Sequence, residues 1–472
     1  MGEPLITGHG INKIVIWEPQ RQFSKAEVLA AVATRRVDFS SAGLLPGARV
    51  LIVCHSQAET VFDALALRDC SVVPVSSSLT VGERQALAQR FGLEAIVELG
   101  NVTATGEPGP ESVIAENADN CETPMLGLLS SGSTGSPKFV WRNAQQVRAA
   151  GSIFRKSLGL TGDDCIMAVI PLEHSYGYQN LMLAALGAIE ESGNDSSTDD
   201  ELVRLAFPRT QHPRSVARCA EPSGTTIFPG APAFLDMMTR MVEPEGLAKS
   251  VRICLSVGTA LSTRIHRDFS QHFGVPLWQS YGASEAGPVC LNRDGGSSGD
   301  LMDLGAVCDG VVVRIVDRDG TDLPDGEEGE LVIESPAVGM RYEGNHDGAS
   351  RILPGVFHSG DLGIREGGRL RFSGRRKLLI SVAGNKVDPL EVEEVLRLHP
   401  DVADVAVVAA SGEDAREWVK ALVVSRKQLS ALTLMDFCAQ KLAAYKVPRV
   451  IEFRSELPRN SMGKLQRDKL KP

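Results

Sequence analysis

No two of the nine cysteines in this 472-residue chain are spaced as Cys-x-x-Cys. They stand at 54, 70, 121, 165, 219, 254, 290, 308 and 438, an odd number. That spacing argues against a disulfide framework or a structural zinc site and fits a reducing compartment. An excess of positive charge is missing as well, since the formal net charge is -10. A binder of phosphate backbones needs a basic face, so nucleic acid is not expected as a partner. Long apolar runs are also lacking: stretches such as Leu181 to Ile189 are far too short to span a bilayer. The opening Met1-Gly2-Glu3-Pro4-Leu5-Ile6 has no basic region ahead of an apolar run, so no signal peptide is expected, and Ile6 breaks the myristoylation pattern. Cytoplasm is the expected location. There is no internal repeat and no heptad run.

The composition is ordinary for a globular protein, with 43% hydrophobic and 23% charged residues, and the length implies two or three domains. Helical and strand patterns alternate in the first half. Lys25 to Val37 reads as a helix, Arg49 to Cys54 as a strand, Glu59 to Arg68 as a helix and Ser71 to Val75 as a strand. Thr80 to Phe91 and Ala95 to Leu99 repeat the cycle. This rhythm predicts a mainly parallel, buried sheet. Residues 100–122 read as a surface loop, and Glu190 to Asp200 as an exposed acidic insertion. From Gly310 to Glu334, valine-rich strands flank Asp-Gly and Pro-Asp-Gly turns, the pattern of antiparallel hairpins or a small barrel. A boundary is expected near Gly374 to Lys377. Beyond it come a helix (Pro389 to Leu398), strands (Val402 to Ala409 and Val419 to Ser425) and a helix (Leu434 to Ala444). The expected fold is α/β: a large N-terminal domain of stacked α/β sheets plus a small distorted barrel, and a small α+β C-terminal domain.

The strongest chemical signal is Leu129-Ser130-Ser131-Gly132-Ser133-Thr134-Gly135-Ser136-Pro137-Lys138. Glycines and hydroxyls at this spacing can turn backbone N–H groups and side chains toward phosphate oxygens, and the lysine adds charge. The bland alternative is a Ser/Gly linker, but the apolar run Met125 to Leu129 ahead of it argues for a strand-borne loop. It is not a Walker loop, because Gly-x-x-x-x-Gly-Lys-[Ser/Thr] is absent. Ser461-Met462-Gly463-Lys464 is formally a Ser-x-x-Lys, yet the partner motifs of penicillin-recognising enzymes are missing. No Gly-x-Ser-x-Gly elbow or Gly-x-Gly-x-x-Gly fingerprint appears.

The loop resembles the signature of the adenylate-forming superfamily of acyl- and aryl-CoA synthetases, peptide-synthetase adenylation domains and luciferases. The similarity continues in order through Pro171-Leu172-Glu173-His174-Ser175-Tyr176-Gly177, Ser256-Val257-Gly258-Thr259-Ala260-Leu261 and Tyr281-Gly282-Ala283-Ser284-Glu285. It extends through His358-Ser359-Gly360-Asp361, Gly374-Arg375-Arg376-Lys377 and Pro458-Arg459-Asn460-Ser461-Met462-Gly463-Lys464. The resemblance implies an AMP-binding N-terminal domain over 1–375, barrel-like over about 290–372, and a mobile C-terminal domain over 376–472. It implies that ATP, Mg²⁺ and coenzyme A are used to convert a carboxylic acid to acyl-AMP and then to a thioester.

Residue roles follow from the same resemblance. Ser131, Gly132, Ser133, Thr134, Gly135 and Lys138 would hold the outer phosphates. Gly258, Thr259, Ala260, Tyr281, Gly282 and Ser284 would bind the nucleotide, the 256–261 loop contacting the adenine and Tyr281 stacking on it. Asp361 would accept from the ribose hydroxyls with Arg375 beside it, and Glu285 would hold Mg²⁺. Lys464 would bridge the carboxylate and the α-phosphate. His174, Tyr178, Gln179, Phe228, Gly230, Gly258, Gly282 and Ala283 would border the acyl pocket, and the small residues suggest a roomy, apolar space for a bulky or aryl acid. Lys377 would be the hinge about which the C-terminal domain turns between half-reactions, bringing Gly384 and Asn385 to the thiol path. Isolated charges such as Glu285, Asp361 and Lys464 are more often solvated surface groups; it is their ordered context that points to chemistry. Three departures from the family pattern, Leu378, Asp69-Cys70 and the acidic insertion, remove none of these positions. Alternatives are an enzyme loading a carrier-protein phosphopantetheine, one specialised for thioester formation from supplied acyl-AMP, and a non-catalytic nucleotide-binding relative. A monomer or homodimer is expected.

Overall fold

The computed structural model describes residues 12–105, 125–130, 138–186, 202–259, 261–294, 302–344, 350–376, 378–382, 385–411, 417–459 and 465–470. Local signals set the first helices. Ser24 caps helix Lys25–Ser41 by accepting from the Glu27 N–H, and the Glu27 carboxylate returns to the Ser24 N–H. Thr80 and Glu83 form the same reciprocal cap for helix Val81–Arg90. Each such cap satisfies two of the amide groups a helix start leaves open.

Two sheets form the bulk of the molecule. In the first, strand Arg49–Cys54 lies between Ser71–Ser76 and Ala95–Glu98, all parallel, and Ser71–Ser76 continues to Met125–Ser130. Strand Lys138–Asn143 then runs back antiparallel and pairs Lys138 with Ser130. The second sheet has fourteen strands among the described residues. One end is parallel, in the order Leu277–Ala283, Ile253–Ser256, Ile227–Gly230, Cys165–Met167, Arg204–Ala206 and Ile14–Trp17. The other end is antiparallel, from Gly287–Asn292 through Asp303–Val307, Arg369–Arg375, Val356–Glu366 and Glu328–Glu334 to Val312–Val316. The hairpins read near 310–334 are therefore present, but their pairing continues the large sheet without a break. The main core fills the space between the two sheets, and a second cluster covers the outer face of the parallel end.

After Arg375 the chain forms a short hairpin, Ile380–Val382 with Asn385–Val387, and then a unit with its own core. Strands Val402–Ser411, Glu417–Ser425 and Val450–Phe453 pack with helices Pro389–Arg397 and Ala431–Ala439.

Two sequence expectations change. The helix expected over 434–444 is Ala431–Ala439, because Ser430 caps it by accepting from the Thr433 N–H, and a separate 3₁₀ turn follows at Ala444–Lys446. Strand Asn101–Ala104 opens the stretch read as a loop, turning back on Ala95–Glu98 through Leu99 and Gly100, both at positive φ. Residues 106–124 and the acidic insertion at 190–200 lie outside the described residues. The Tyr176–Leu183 segment is a π-helix. The eight described cysteines are unpaired and buried. Among the described residues, no helix is long and apolar enough to cross a membrane.

Candidate active site

Ligands of open α/β sheets gather where parallel strands end. Strand Leu277–Ala283 is the last parallel strand, and it turns at 284–286 into antiparallel Gly287–Asn292. The turn is tight. A Cβ on Gly282 would stand 2.5 Å from the Gly287 carbonyl oxygen, and Gly287 itself has φ 76°. Glycine at these two positions is a backbone requirement.

Tyr281 donates its hydroxyl to Asp361 Oδ2 at 2.7 Å, while Arg375 Nε lies 2.8 Å from Asp361 Oδ1. The strand register explains the second contact: Asp361 on Val356–Glu366 is the direct cross-strand partner of Arg375 on Arg369–Arg375. Asp361 is buried, and its own N–H donates to Ser359 Oγ. The facing Asp361 carboxylate raises the pKa of the Arg375 guanidinium. Burial, reinforced by the Asp361 charge, pushes the Tyr281 phenol well up, so it stays a donor. Glu330 fixes the surrounding turn by accepting from the Gly360 N–H and pairing with Arg376.

The other end of the site begins at Lys138, the first described residue after the Ser/Gly-rich loop. Its Nζ lies 3.9 Å from Glu285 Oε1 and 4.2 Å from the Tyr342 ring centroid. Tyr342 donates to the same Glu285 oxygen at 2.9 Å. Glu285 Oε2 has no hydrogen-bond partner among the described residues. One buried carboxylate suits Mg²⁺, which dehydrates reluctantly and is usually shared with substrate phosphates. Among the described residues, no cluster of three or more His, Cys, Asp or Glu could cage a metal unaided. Glu285 is also among the charges felt by Arg375, so the two ends of the site share one electrostatic field.

The His174 segment joins this hairpin through Ser175 Oγ and Ser284 Oγ, 3.0 Å apart. His174 is half-buried. Gly177 is required there, since a Cβ would stand 2.1 Å from the Pro171 carbonyl oxygen. Gln179 is buried near Gly287, with Nε2 donating to Asn180 Oδ1 and Oε1 left without a partner among the described residues. Gly258, at φ 87°, and Thr259 follow the end of strand Ile253–Ser256. Ala283 is half-buried at the hairpin.

Other expected pocket residues are placed differently. Tyr178 is sealed in the main core, with Cys54 and Asp63 among its titratable neighbours. Phe228 is fully buried in the cluster on the sheet's outer face, stacked on Phe234. Neither offers surface to a substrate in this structure. A Cβ on Gly230 would stand 2.8 Å from Leu235, so packing accounts for its small size. Asn385 is exposed on the hairpin after the domain boundary. Ser131, Gly132, Ser133, Thr134, Gly135, Ala260, Lys377, Gly384 and Lys464 lie outside the described residues.

Sequence reasoning passed over two residues. Tyr342 sits on strand Arg341–Gly344, paired with Lys138–Asn143, and has no motif to mark it. Arg142 did carry a signal, an arginine directly after the apolar Phe139-Val140-Trp141. It is fully buried. Its Nε and one terminal nitrogen both donate to the Ser284 carbonyl at 3.2 and 2.7 Å, and the other terminal nitrogen donates to the Ala337 carbonyl. Burial lowers its pKa to about 10 against the opposing pull of Glu285. Arg142 thus pins the turn that carries Glu285 to the strand that carries Lys138.

Residues 8–343 match the AMP-binding enzyme family, and residues 391–464 match the AMP-binding enzyme C-terminal domain. The chain is 29% identical over 376 residues to a 2-succinylbenzoate–CoA ligase of Bacillus cytotoxicus, spanning 77% of this chain and 73% of that one. It is 30% identical over 356 residues to a sulfoacetate–CoA ligase of Cupriavidus necator, spanning 74% and 67%. Its fold matches that of O-succinylbenzoate coenzyme A synthetase from Bacillus subtilis in complex with ATP and magnesium ion, with TM-score 0.80, 23% identity, and coverage of 97% and 96%.

Proposed function

This chain belongs to the AMP-binding enzyme family, and from that premise we propose that it activates a bulky or aryl carboxylic acid as acyl-AMP and hands the acyl group to coenzyme A. It is an acyl-CoA synthetase that uses ATP, Mg²⁺ and coenzyme A. One relative is named for the aryl acid 2-succinylbenzoate and another for the small sulfoacetate, while Gly258 and Ala283 remain as small residues at the hairpin side.

The observation that carries the reading is the convergence of Tyr281, Asp361 and Arg375 with Lys138 and Glu285 around one turn. A carboxylate is a poor acyl donor because oxide leaves badly. Its attack on the α-phosphorus of ATP forms the acyl–phosphate bond and releases diphosphate, and the former oxide then leaves as AMP. Two anions must meet for this, so the site has to supply positive charge where negative charge builds up. Lys138 and the Ser131–Gly135 segment are assigned to the outer phosphates, and Lys464 to the α-phosphate and carboxylate. Asp361 is assigned to the ribose hydroxyls, with its Tyr281 and Arg375 partners holding its orientation, and the Tyr281 ring to the adenine. Glu285, oriented by Tyr342 and by Arg142 behind it, is assigned to Mg²⁺. When bound, that ion neutralises phosphate charge and polarises the phosphoryl group. His174 is assigned to the acid's side of the reacting centre. In the second step the coenzyme A thiolate attacks the acyl carbonyl and AMP leaves.

We assign residues 1–375 to the adenylate-binding part and 376–472 to a C-terminal domain that turns about Lys377, alternately presenting Lys464 and the segment of Gly384 and Asn385. The test is incubation with ATP, Mg²⁺ and a panel of carboxylic acids, with coenzyme A or a carrier protein as acceptor, followed by mass detection of acyl-AMP and thioester. The reading expects both species with an aryl or bulky acid and coenzyme A. Thioester formed only from supplied acyl-AMP, or no acyl-AMP with any acid, would overturn it.

A further inference from the structure

A second set of cationic side chains lies away from the Tyr281 hairpin. A cavity of about 560 Å³ opens where strands Ile14–Trp17 and Arg204–Ala206 end. Three arginines line it, Arg209, Arg214 and Arg218, together with His212, and no lining residue is acidic. All three arginines are exposed. Among the described residues none of them makes an ion pair, although the chain carries 59 acidic side chains against 49 Lys and Arg. Arg214 is steadied by Nε donating to the Met241 carbonyl at 3.0 Å, and its two terminal nitrogens have no partner among the described residues. His212 Nδ1 accepts from the Arg214 N–H, so its other ring nitrogen points away from that bond. Trp17 and Pro222 add an apolar wall.

Charge of one sign concentrated without compensation is costly unless an anion is meant to arrive, and on a net-acidic protein it is the place where a polyanion is least repelled. Guanidinium forks match phosphate oxygens in pairs. We propose that this cavity takes the phosphorylated nucleotide end of coenzyme A, with the arginines on its phosphates. The proposal rests on the thioester-forming reading above.

The placement agrees with the reach of the arm. In a parallel sheet all strands end on the same edge, so the cavity and the Gly258–Tyr281 region share one rim. From Arg204–Ala206 the neighbours are Cys165–Met167, Ile227–Gly230 and Ile253–Ser256. Those three steps amount to about 14 Å at the usual strand spacing. A pantetheine arm has about a dozen backbone bonds, the equivalent of about four residues, and also extends about 14 Å. A thiol at the acyl carbonyl thus leaves the diphosphate and the 3′-phosphate near Arg209 and its neighbours.

The experiment compares the full-length protein with the double variant Arg209→Glu/Arg218→Glu, using coenzyme A, dephospho-coenzyme A and pantetheine as acceptors. Losing two charge-assisted contacts should raise the KM for coenzyme A about tenfold or more. The KM for pantetheine, which has no phosphate, should not move, and dephospho-coenzyme A should fall between. An unchanged KM for coenzyme A, or an equal rise with pantetheine, would overturn the proposal. Calorimetry with adenosine 3′,5′-bisphosphate, in the presence of saturating AMP, reads the site without turnover: binding to the unsubstituted protein and its loss in the variant are expected. Binding that is absent from both, or equal in both, would overturn the proposal. Because this measurement needs no catalysis, failure of the functional reading, seen as no thioester from the unsubstituted protein with any acid, stays separate from failure of the cavity assignment.

Discussion

The two ends of the site are built differently. At the Tyr281 end both carboxylate oxygens of Asp361 are already engaged, one by a hydroxyl at 2.7 Å and the other by a guanidinium at 2.8 Å. At the Glu285 end the lysine stands 3.9 Å from the carboxylate, and one Glu285 oxygen has no partner among the described residues. The first end is held in shape by cross-strand register and needs no ligand to be ordered. The second is a looser set of charges, which the proposed reading assigns to phosphates and metal. Preorganised groups give binding and orientation at small energetic cost, whereas groups that tighten only on charge build-up give rate. Substitutions at the two ends should therefore differ in which kinetic constant they move.

The largest effect is expected from Lys464→Ala. Acyl-AMP formation should fall about 1,000-fold, the scale on which one transition-state charge contact acts, while thioester formation from synthetic acyl-AMP is largely spared. Following the two half-reactions separately by mass checks this, and equal losses in both would remove Lys464 from the first step.

Glu285→Gln should come next, with about a hundredfold loss in kcat/KM for ATP. Raising Mg²⁺ should recover part of it, because the neutral amide keeps the hydrogen bond but not the charge. A Mg²⁺ titration of initial rates decides the matter, and an unchanged Mg²⁺ dependence would place the ion elsewhere. Arg142→Lys belongs to the same end. A lysine cannot reach two carbonyls as a fork can, so the apparent affinity for MgATP should drop about tenfold with little change at saturation. A drop in kcat alone would deny that Arg142 positions the Glu285 turn.

Tyr281→Phe probes the preorganised end. The ring is kept and one hydrogen bond to a carboxylate is lost, a cost of about 1.5 kcal/mol or about tenfold in the KM for ATP, with kcat nearly unchanged. If kcat fell as much as at Glu285, the contrast between the two ends would collapse.

The smallest effect lies outside both ends, at Asp388 beside the domain boundary. Burial raises its pKa to about 6, and a Cβ on neighbouring Gly374 would stand 2.9 Å from its carboxylate. A carboxyl whose pKa is raised on folding contributes stability below its unfolded pKa, and that contribution is lost as pH climbs through the folded value. Between about pH 4 and 6 the protein should therefore lose about 2 kcal/mol from this group. Asp388→Asn, which can still cap helix Pro389–Arg397, should flatten that part of the pH–melting curve and raise Tm at pH 8. Identical curves for both proteins would show that Asp388 ionises freely.

Much of this architecture was readable before any coordinates. Strand Arg49–Cys54 needed no adjustment, because an unbroken apolar run between turn signals has only one buried solution. The helix starts at Ser24 and Thr80 carry their caps in the sequence. The ordered motifs brought Tyr281, Asp361, Arg375, Lys138 and Glu285 forward together. Tyr178 and Phe228 show the limit. The resemblance implied pocket walls there, yet which face a side chain takes depends on the phase of the π-helix and of the strand, and both side chains went into core.

What the sequence determined by itself is the inventory: the elements, the family and the residue types that can handle phosphate and carboxylate, because these follow from local periodicity and from ordered motifs. Only the tertiary structure decided the partnerships. Asp361 faces Arg375 because two strands pair in one register, and Arg142 reaches the Ser284 carbonyl across 142 positions of chain. Gly282 is small because a carbonyl from Gly287 occupies the space a side chain would need. Arg209, Arg214 and Arg218 line one cavity because a strand end and a helix start meet beside Trp17. Hydrogen bonds and charge interactions act over a few ångströms of space, and distance along the chain does not fix distance in space until the sheets have paired.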